Sequence, residues 1–143
     1  MADNLDLTHI NLYLAITDGC ECAPAHWIIL VQHPGSPECI WLHSVINCRG
    51  EYEVSIEPAK RFNSHSFATK EFLVRLPVCQ QSVVLDMANM VPAQSCQCWA
   101  SYMLLRFQNQ GYLDPGTYEL WCDLHMTSRR LDLGPGCLCT CQH

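Results

Sequence analysis

The chain has 143 residues, of which 49% are hydrophobic and 15% charged, and its formal net charge is −6 at pH 7. This length and composition are typical of one globular domain with its own core, and they exclude a disordered chain. The negative charge, with no basic run longer than a pair such as Arg129 and Arg130, argues against a nucleic-acid partner. The longest apolar runs are too short for a transmembrane segment. The acidic N-terminus lacks an apolar signal core, so we expect a cytoplasmic location.

Alternation between apolar and polar residues in the first half of the chain predicts β-strands. The predicted strands are Leu7–Ile16, Ala25–Gln32, Cys39–Ile46, Glu51–Glu57 and Glu71–Val78. A turn rich in Pro and Gly at 33–38 joins the second and third strands in an antiparallel hairpin. The polar segment 58–70 is predicted to be a mobile loop.

In the second half of the chain the apolar period lengthens to that of a helix. One helix is predicted over 80–91, ending at Pro92. A second helix is predicted to start after Ser95 as its N-cap and to run to Gln110, where Gly111 ends it. Residues 118–126 fit either a strand or a helix, and the end of the chain, 134–143, is predicted to be flexible.

These elements predict an α+β fold, in which an antiparallel sheet of four to six strands packs against helices. We expect a single domain over residues 1–126 and a flexible, Cys-rich tail over 127–143. No repeat or low-complexity segment interrupts the domain. The oligomeric state does not follow from the sequence.

Eleven cysteines are a high and odd number. In a reducing cytosol most are expected to be small buried hydrophobic residues rather than disulfides. A metal or redox site stays open as an alternative, although structural zinc usually has two to four residues between paired ligands. The pairs concerned are Cys20-x-Cys22, Cys96-x-Cys98 and Cys137-x-Cys139-x-Cys141. We expect no metal and no organic cofactor.

Cys96 is a candidate nucleophile because it lies in the first turn of the second predicted helix, where the helix dipole favours a thiolate. A neighbouring imidazole is the other usual activating group, and His26 and His43 lie on the two arms of the predicted hairpin. Since side chains on one face of a strand recur every second residue, a suitable register brings both histidines to the same face. A structural role stays open at this point, because most buried cysteines are inert.

The segment HWIILVQHPGSPECIWLHSV at 26–45 resembles the histidine box of the lecithin–retinol acyltransferase-like enzymes. These enzymes belong to the circularly permuted papain-like (NlpC/P60-type) superfamily. The segment SCQCWASYML at 95–104 resembles their cysteine box, Asn-Cys-Glu-His-Phe, and also an Asn-Cys-Gln-Asp-Trp form of small fungal proteins. The order of two histidines before the cysteine is the permuted order. The resemblance spans roughly residues 10–115 and implies the permuted papain-like fold.

By position, the resemblance implies that Cys96 is the nucleophile, His26 the general base and His43 the third, orienting residue. It implies that the backbone N–H of Cys96 helps to stabilise an oxyanion. Supporting roles fall to Gln97, Trp27 and Ser95. Ser95 replaces the family's Asn, and Cys98 stands where the family has His or Asp.

The implied function is that of a cysteine-dependent hydrolase or acyltransferase. Such an enzyme forms an acyl-enzyme on an ester, thioester or amide, here in a small-molecule or peptide acyl substrate or a biosynthetic intermediate. The C-terminal membrane helix of many family members is absent, which puts a lipid substrate in doubt. The alternatives are an inactive binding protein of the same fold, or a metal or redox protein that uses the Cys-x-Cys pairs.

Overall fold

The computed structural model describes residues 5–18 and 25–132, with side chains up to residue 124. In these ranges the chain forms the predicted α+β architecture, with a sheet of five antiparallel strands followed by three α-helices. The strands are β1 (His9–Thr17), β2 (Trp27–Gln32), β3 (Glu38–Ile46), β4 (Tyr52–Arg61) and β5 (Phe67–Pro77). The helices are α1 (Gln81–Met90), α2 (Cys96–Asn109) and α3 (Thr117–Asp132), and a short 3-10 helix, Val78–Gln80, precedes α1.

The sheet has the strand order β4-β3-β2-β1-β5, so β4 and β5 form opposite edges although they are consecutive in the chain. In a flat sheet these edges would lie about 19 Å apart, since neighbouring strands are separated by about 4.8 Å. The connection 62–66 contains a tight turn, in which the Phe67 N–H donates to the Ser64 carbonyl at 3.2 Å. It is therefore too short to cross a flat sheet, and the sheet curls. The Trp41 ring of β3 consequently lies 5.2 Å from the Phe67 ring of β5, centroid to centroid.

The convex face of the curled sheet packs against the helices and forms the main core. Alternate residues of β1 supply its centre, and one face of α2 covers them, as the helical spacing predicts. The fully buried side chains of this core include Ile10, Leu12, Leu14, Ile29, Leu42, Trp99, Met103 and Phe107.

The concave face, which lies inside the curl, has a smaller core. Aromatic side chains cover its buried centre, and their rings contact one another across the curl, Tyr13 and Phe62 at 4.9 Å. Burial raises the pKa of the Cys39 thiol to about 11, so this cysteine is a packing residue rather than a nucleophile. The members of this cluster are Ala15, Ile28, Leu30 and Cys39, with Tyr13, Trp41, Phe62 and Phe67 packed against them.

The prediction of a mobile loop over 58–70 is wrong, because β4 extends to Arg61 and β5 begins at Phe67. Proline and polar residues suggested a loop, but β4 is an edge strand, where proline is tolerated. A β-bulge accommodates the extra residue: Trp41 pairs with Glu57, whereas Cys39 pairs with Lys60. Ala59 has a φ of 60° in this bulge, a left-handed conformation that costs about 1 kcal/mol outside glycine.

The helical half follows the sequence prediction closely. Ser95 is the N-cap residue of α2, although its side chain makes no capping hydrogen bond. Residues 118–126 belong to helix α3, which continues beyond residue 126 to Asp132. The segment 134–143, predicted to be flexible, lies outside the described residues. Within the described ranges, no helix combines the length and the apolarity needed to cross a membrane.

Candidate active site

The hairpin of β2 and β3 brings His26 and His43 together, as its predicted antiparallel pairing suggested. Leu42 pairs with Ile29, and this register places His26 diagonally opposite His43 on the concave face. The Nε2 atom of His26 lies 2.8 Å from the Nδ1 atom of His43. The rings are 5.0 Å apart between centroids in an edge-to-face arrangement.

Glu57 of β4 extends this pair, although nothing in the sequence marks it as a site residue. Its Oε2 atom lies 2.6 Å from His43 Nε2 and accepts a second hydrogen bond from the Ser55 hydroxyl at 2.8 Å. Lys60 Nζ lies 3.4 Å from the other carboxylate oxygen. The bulge in β4 keeps Lys60 on the same face as Glu57, because without the extra residue a spacing of three would place them on opposite faces.

The hydrogen-bond chain determines which nitrogen of each imidazole carries the proton. A carboxylate only accepts hydrogen bonds, so Nε2 of His43 donates to Glu57. In a neutral His43 the Nδ1 atom is then an acceptor, and Nε2 of His26 donates to it. If His26 is also a neutral imidazole, its Nδ1 atom is the nitrogen that carries no proton. This atom is buried, and it makes no hydrogen bond to any residue in the described part of the chain.

Electrostatics favour this assignment at neutral pH. Burial lowers the pKa of His43 below its ordinary value of 6.5, and it outweighs the opposing effect of the hydrogen bond that His43 donates to Glu57. Partial burial acts to raise the pKa of Glu57, but hydrogen bonds from His43 and Ser55 outweigh it and lower this pKa. The pair is therefore a neutral imidazole and an ionised carboxylate.

The lowered pKa of His43 predicts that acidification destabilises the fold. The unfolded chain binds a proton at this histidine more readily than the folded chain does, so the free energy of unfolding falls as the pH drops below about 6.5. Urea unfolding at pH 7.5 and at pH 5.5 measures this loss. We expect a smaller loss in His43→Asn and an unchanged loss in His65→Asn, since His65 is exposed. Equal losses in wild type and His43→Asn would contradict the prediction. Glu57 is not expected to account for the loss, because its lowered pKa lies below the compared range of pH 5.5 to 7.5.

Cys96 approaches the histidines from the helical side of the sheet. It is the first residue of α2 and is completely buried. Its Sγ atom lies 3.9 Å from the carbonyl oxygen of Ala25, the residue before His26. The thiol thus lies at the end of β2, next to the backbone that carries His26. No hydrogen bond joins Sγ to His26 Nδ1 in this structure.

A hydrogen-bonded anchor joins the start of α2 to the strand that carries His43. The Ser44 hydroxyl donates to the Gln94 carbonyl at 2.5 Å and accepts from the Gln94 N–H at 3.2 Å. Ser44 is completely buried and points to the convex face, whereas its neighbour His43 points to the concave face. Ser44 of β3 therefore holds the helix that carries Cys96 in place, and the neighbouring His43 contacts His26.

The three predicted supporting residues have different surroundings. Gln97 is buried and donates from Nε2 to the Ala25 carbonyl at 2.8 Å, the same oxygen that the thiol contacts. Trp27 is a core residue whose ring packs edge to face on Trp121 of α3, with centroids 6.0 Å apart. Ser95 precedes Cys96 as the N-cap, and its carbonyl accepts the first hydrogen bond of α2 from Trp99.

The part of the chain that the structure describes contains the Cys96-x-Cys98 pair. No group of three or more His, Cys, Asp or Glu side chains there has the arrangement that holds a metal ion. The other two Cys-x-Cys clusters, at 20–22 and 137–141, lie outside the described residues.

Comparison with known proteins returns nothing for this chain. No protein-family model, no curated protein and no solved structure matches it. The function is therefore inferred from the geometry and chemistry of the site itself.

Proposed function

We propose that this protein is a cysteine-dependent acyl-transfer enzyme, a hydrolase or an acyltransferase, with a circularly permuted papain-like arrangement. Cys96 is the nucleophile, His26 is the general base, and His43 and Glu57 orient His26. One observation carries the proposal: the hydrogen-bond chain from Glu57 through His43 ends at His26, whose Nδ1 atom is buried and makes no hydrogen bond to any described residue. This residue directly follows Ala25, whose carbonyl the Cys96 thiol contacts.

The reaction begins when the Cys96 thiol transfers its proton to His26 Nδ1 and Sγ attacks the substrate carbonyl carbon. The carbonyl electron pair moves to the oxygen, and a tetrahedral intermediate forms. When that intermediate collapses, the bond to the leaving group breaks and His26 returns the proton to the departing alcohol, thiol or amine. The resulting thioester on Cys96 is cleaved by water, an alcohol or an amine, which His26 deprotonates in turn.

The fold supports the charges that this sequence of steps creates. The N-terminus of α2 lies at Cys96, and its positive dipole end stabilises both a thiolate and a nearby oxyanion. When His26 becomes an imidazolium, Glu57 offsets its charge through His43, while the direction of each hydrogen bond is kept.

The first step requires a local rearrangement, because Sγ and Nδ1 are not hydrogen-bonded and Cys96 is completely buried in this structure. Catalytic hydrogen bonds of substrate-free enzymes are often long and close only when substrate binds. The proposal therefore requires that rotation about the Cys96 or His26 side-chain torsions brings the two atoms together when substrate binds.

Iodoacetamide alkylation, followed for each cysteine by mass spectrometry, tests the proposal. Cys48 and Cys79 are exposed, whereas Cys96 is buried, so burial alone predicts that Cys96 reacts last. We expect the opposite at pH 6.5: Cys96 reacts faster than both exposed cysteines. An unperturbed thiol has a pKa of about 8.5 and is almost entirely protonated at this pH.

His26→Ala is expected to reduce the alkylation rate of Cys96 at pH 6.5 to that of Cys79 or below, because the thiol loses its proton acceptor. His33→Ala is the matched control, since His33 lies at the other end of β2 and contacts the His9 carbonyl instead. A Cys96 that reacts more slowly than Cys48 and Cys79 in the wild type would overturn the proposal and leave a binding protein of this fold.

A further inference from the structure

The outer surfaces of α1 and α2 enclose a groove that is separate from the site at Cys96. Two adjoining cavities of about 460 and 360 Å³ make up the groove, and both are lined by Arg106 and Asn109 of α2. Volumes of this size are typical of small-molecule sites. The groove includes none of the residues assigned to acyl transfer.

Most of the side chains that line the larger cavity are apolar or aromatic. Tyr102 is 43% exposed, so its ring is available to a ligand. The side chains that line this cavity besides Arg106 and Asn109 are Val91, Pro92, Gln94, Tyr102 and Leu105. Its chemistry suits an aliphatic chain with a polar head at the Arg106 end.

Arg106 is the basic group of the groove. It is exposed, and within the described residues no carboxylate lies within ion-pair distance of its guanidinium. Its Nη1 atom instead lies 3.9 Å from the thioether sulfur of Met90, on the opposite side of the groove. A basic residue in the last turn of a helix interacts favourably with the helix dipole. The interaction with the helix dipole does not by itself explain why Arg106 lines a mainly apolar cavity.

We propose that this groove binds a small amphipathic carboxylate, with its apolar tail in the larger cavity and its carboxylate on Arg106. The guanidinium offers paired donors that match a carboxylate, and the Asn109 amide, which lines both cavities, adds a further donor. Asp86 lines the smaller cavity. Its negative charge opposes an anion there, so the carboxylate lies on the side of the larger cavity.

Isothermal titration of the 143-residue chain with sodium decanoate, and with decanol as the uncharged probe of the same length, tests this proposal. We expect saturable binding of one decanoate per chain and at least tenfold weaker binding of decanol. Arg106→Gln is expected to weaken decanoate binding at least tenfold. Leu105→Ala is expected to weaken both probes several-fold, because it shortens the apolar wall. Arg49→Gln, which changes an exposed arginine outside the groove, is the control and is expected to bind like the wild type.

Equal decanoate affinity in wild type and Arg106→Gln would overturn the proposal, as would the absence of saturable binding. Far-UV circular dichroism confirms that each variant is folded. Cys96→Ser is expected to bind decanoate as the wild type does, and Arg106→Gln is expected to keep wild-type alkylation of Cys96. A failure of this proposal is thereby distinguished from a failure of the proposed acyl-transfer activity.

Discussion

Glu57→Ala is expected to slow the acylation of Cys96 by an activated ester roughly 10²–10⁴-fold, the range that general acid–base assistance supplies. Without the carboxylate, His43 no longer has a fixed tautomer, and its Nδ1 can carry the proton. His26 then loses its acceptor at Nε2, and its own Nδ1 can hold the proton that it must be free to receive. The burst of nitrophenolate released from p-nitrophenyl acetate measures the acylation rate directly.

Glu57→Gln separates charge from geometry, because its amide oxygen can still accept from His43 while the negative charge is lost. We expect an intermediate rate for this variant. Glu53→Gln is the matched control on the same strand, since Glu53 is exposed and pairs with Val45 rather than with a histidine. If Glu57→Ala is acylated at a rate within twofold of the wild type, the prediction is wrong. The Glu57–His43 contact would then be a partly exposed ion pair that contributes little to catalysis.

Trp99→Ala is expected to reduce the free energy of unfolding by about 3–5 kcal/mol, the usual cost of removing a large aromatic side chain from a core. Trp99 is completely buried on the face of α2 that covers the sheet. Its Nε1 also donates to the Val91 carbonyl at 3.2 Å, so the substitution leaves a buried acceptor unpaired. Domains of this size are stable by about 5–15 kcal/mol, so the variant loses a large share of its stability.

Urea unfolding followed by circular dichroism measures this loss as a lower midpoint with an unchanged slope. Tyr102→Ala on the outer side of the same helix is the control, and we expect it to cost about 1 kcal/mol, the worth of its ring stacking on Tyr118. A loss below about 1.5 kcal/mol in Trp99→Ala would contradict the prediction and place α2 outside the cooperative core.

The sequence predicted most of the fold because its periodicity was strong. Ile10, Leu12 and Leu14 alternate along β1, and all three are buried against the helices. The apolar spacing of Cys96, Trp99 and Met103 likewise predicted the buried face of α2. When a strand or helix buries one face against a single large core, apolar residues recur in its sequence with the period of that strand or helix.

Two features of β4 were not predicted. The alternation of Glu51, Glu53, Ser55 and Glu57 marked a polar face, but polar faces are usually solvated, and nothing local shows that one of these carboxylates meets a histidine. The second miss was the extension of β4 beyond Pro58, since no local rule predicts a bulge that fits a proline into an edge strand.

The sequence by itself determined an α+β domain, the helix that starts at Cys96, and the hairpin that carries His26 and His43 on its two arms. These features depend on local periodicity, capping and short connections, whose physical causes lie within a few residues of each other. Only the tertiary structure decided that the sheet curls, that Glu57 completes the chain to His26, and that Ser44 anchors α2 beside the histidines. Each of these contacts joins residues that are far apart in the chain or on different strands, so it depends on the register and curvature of the whole sheet rather than on any one segment.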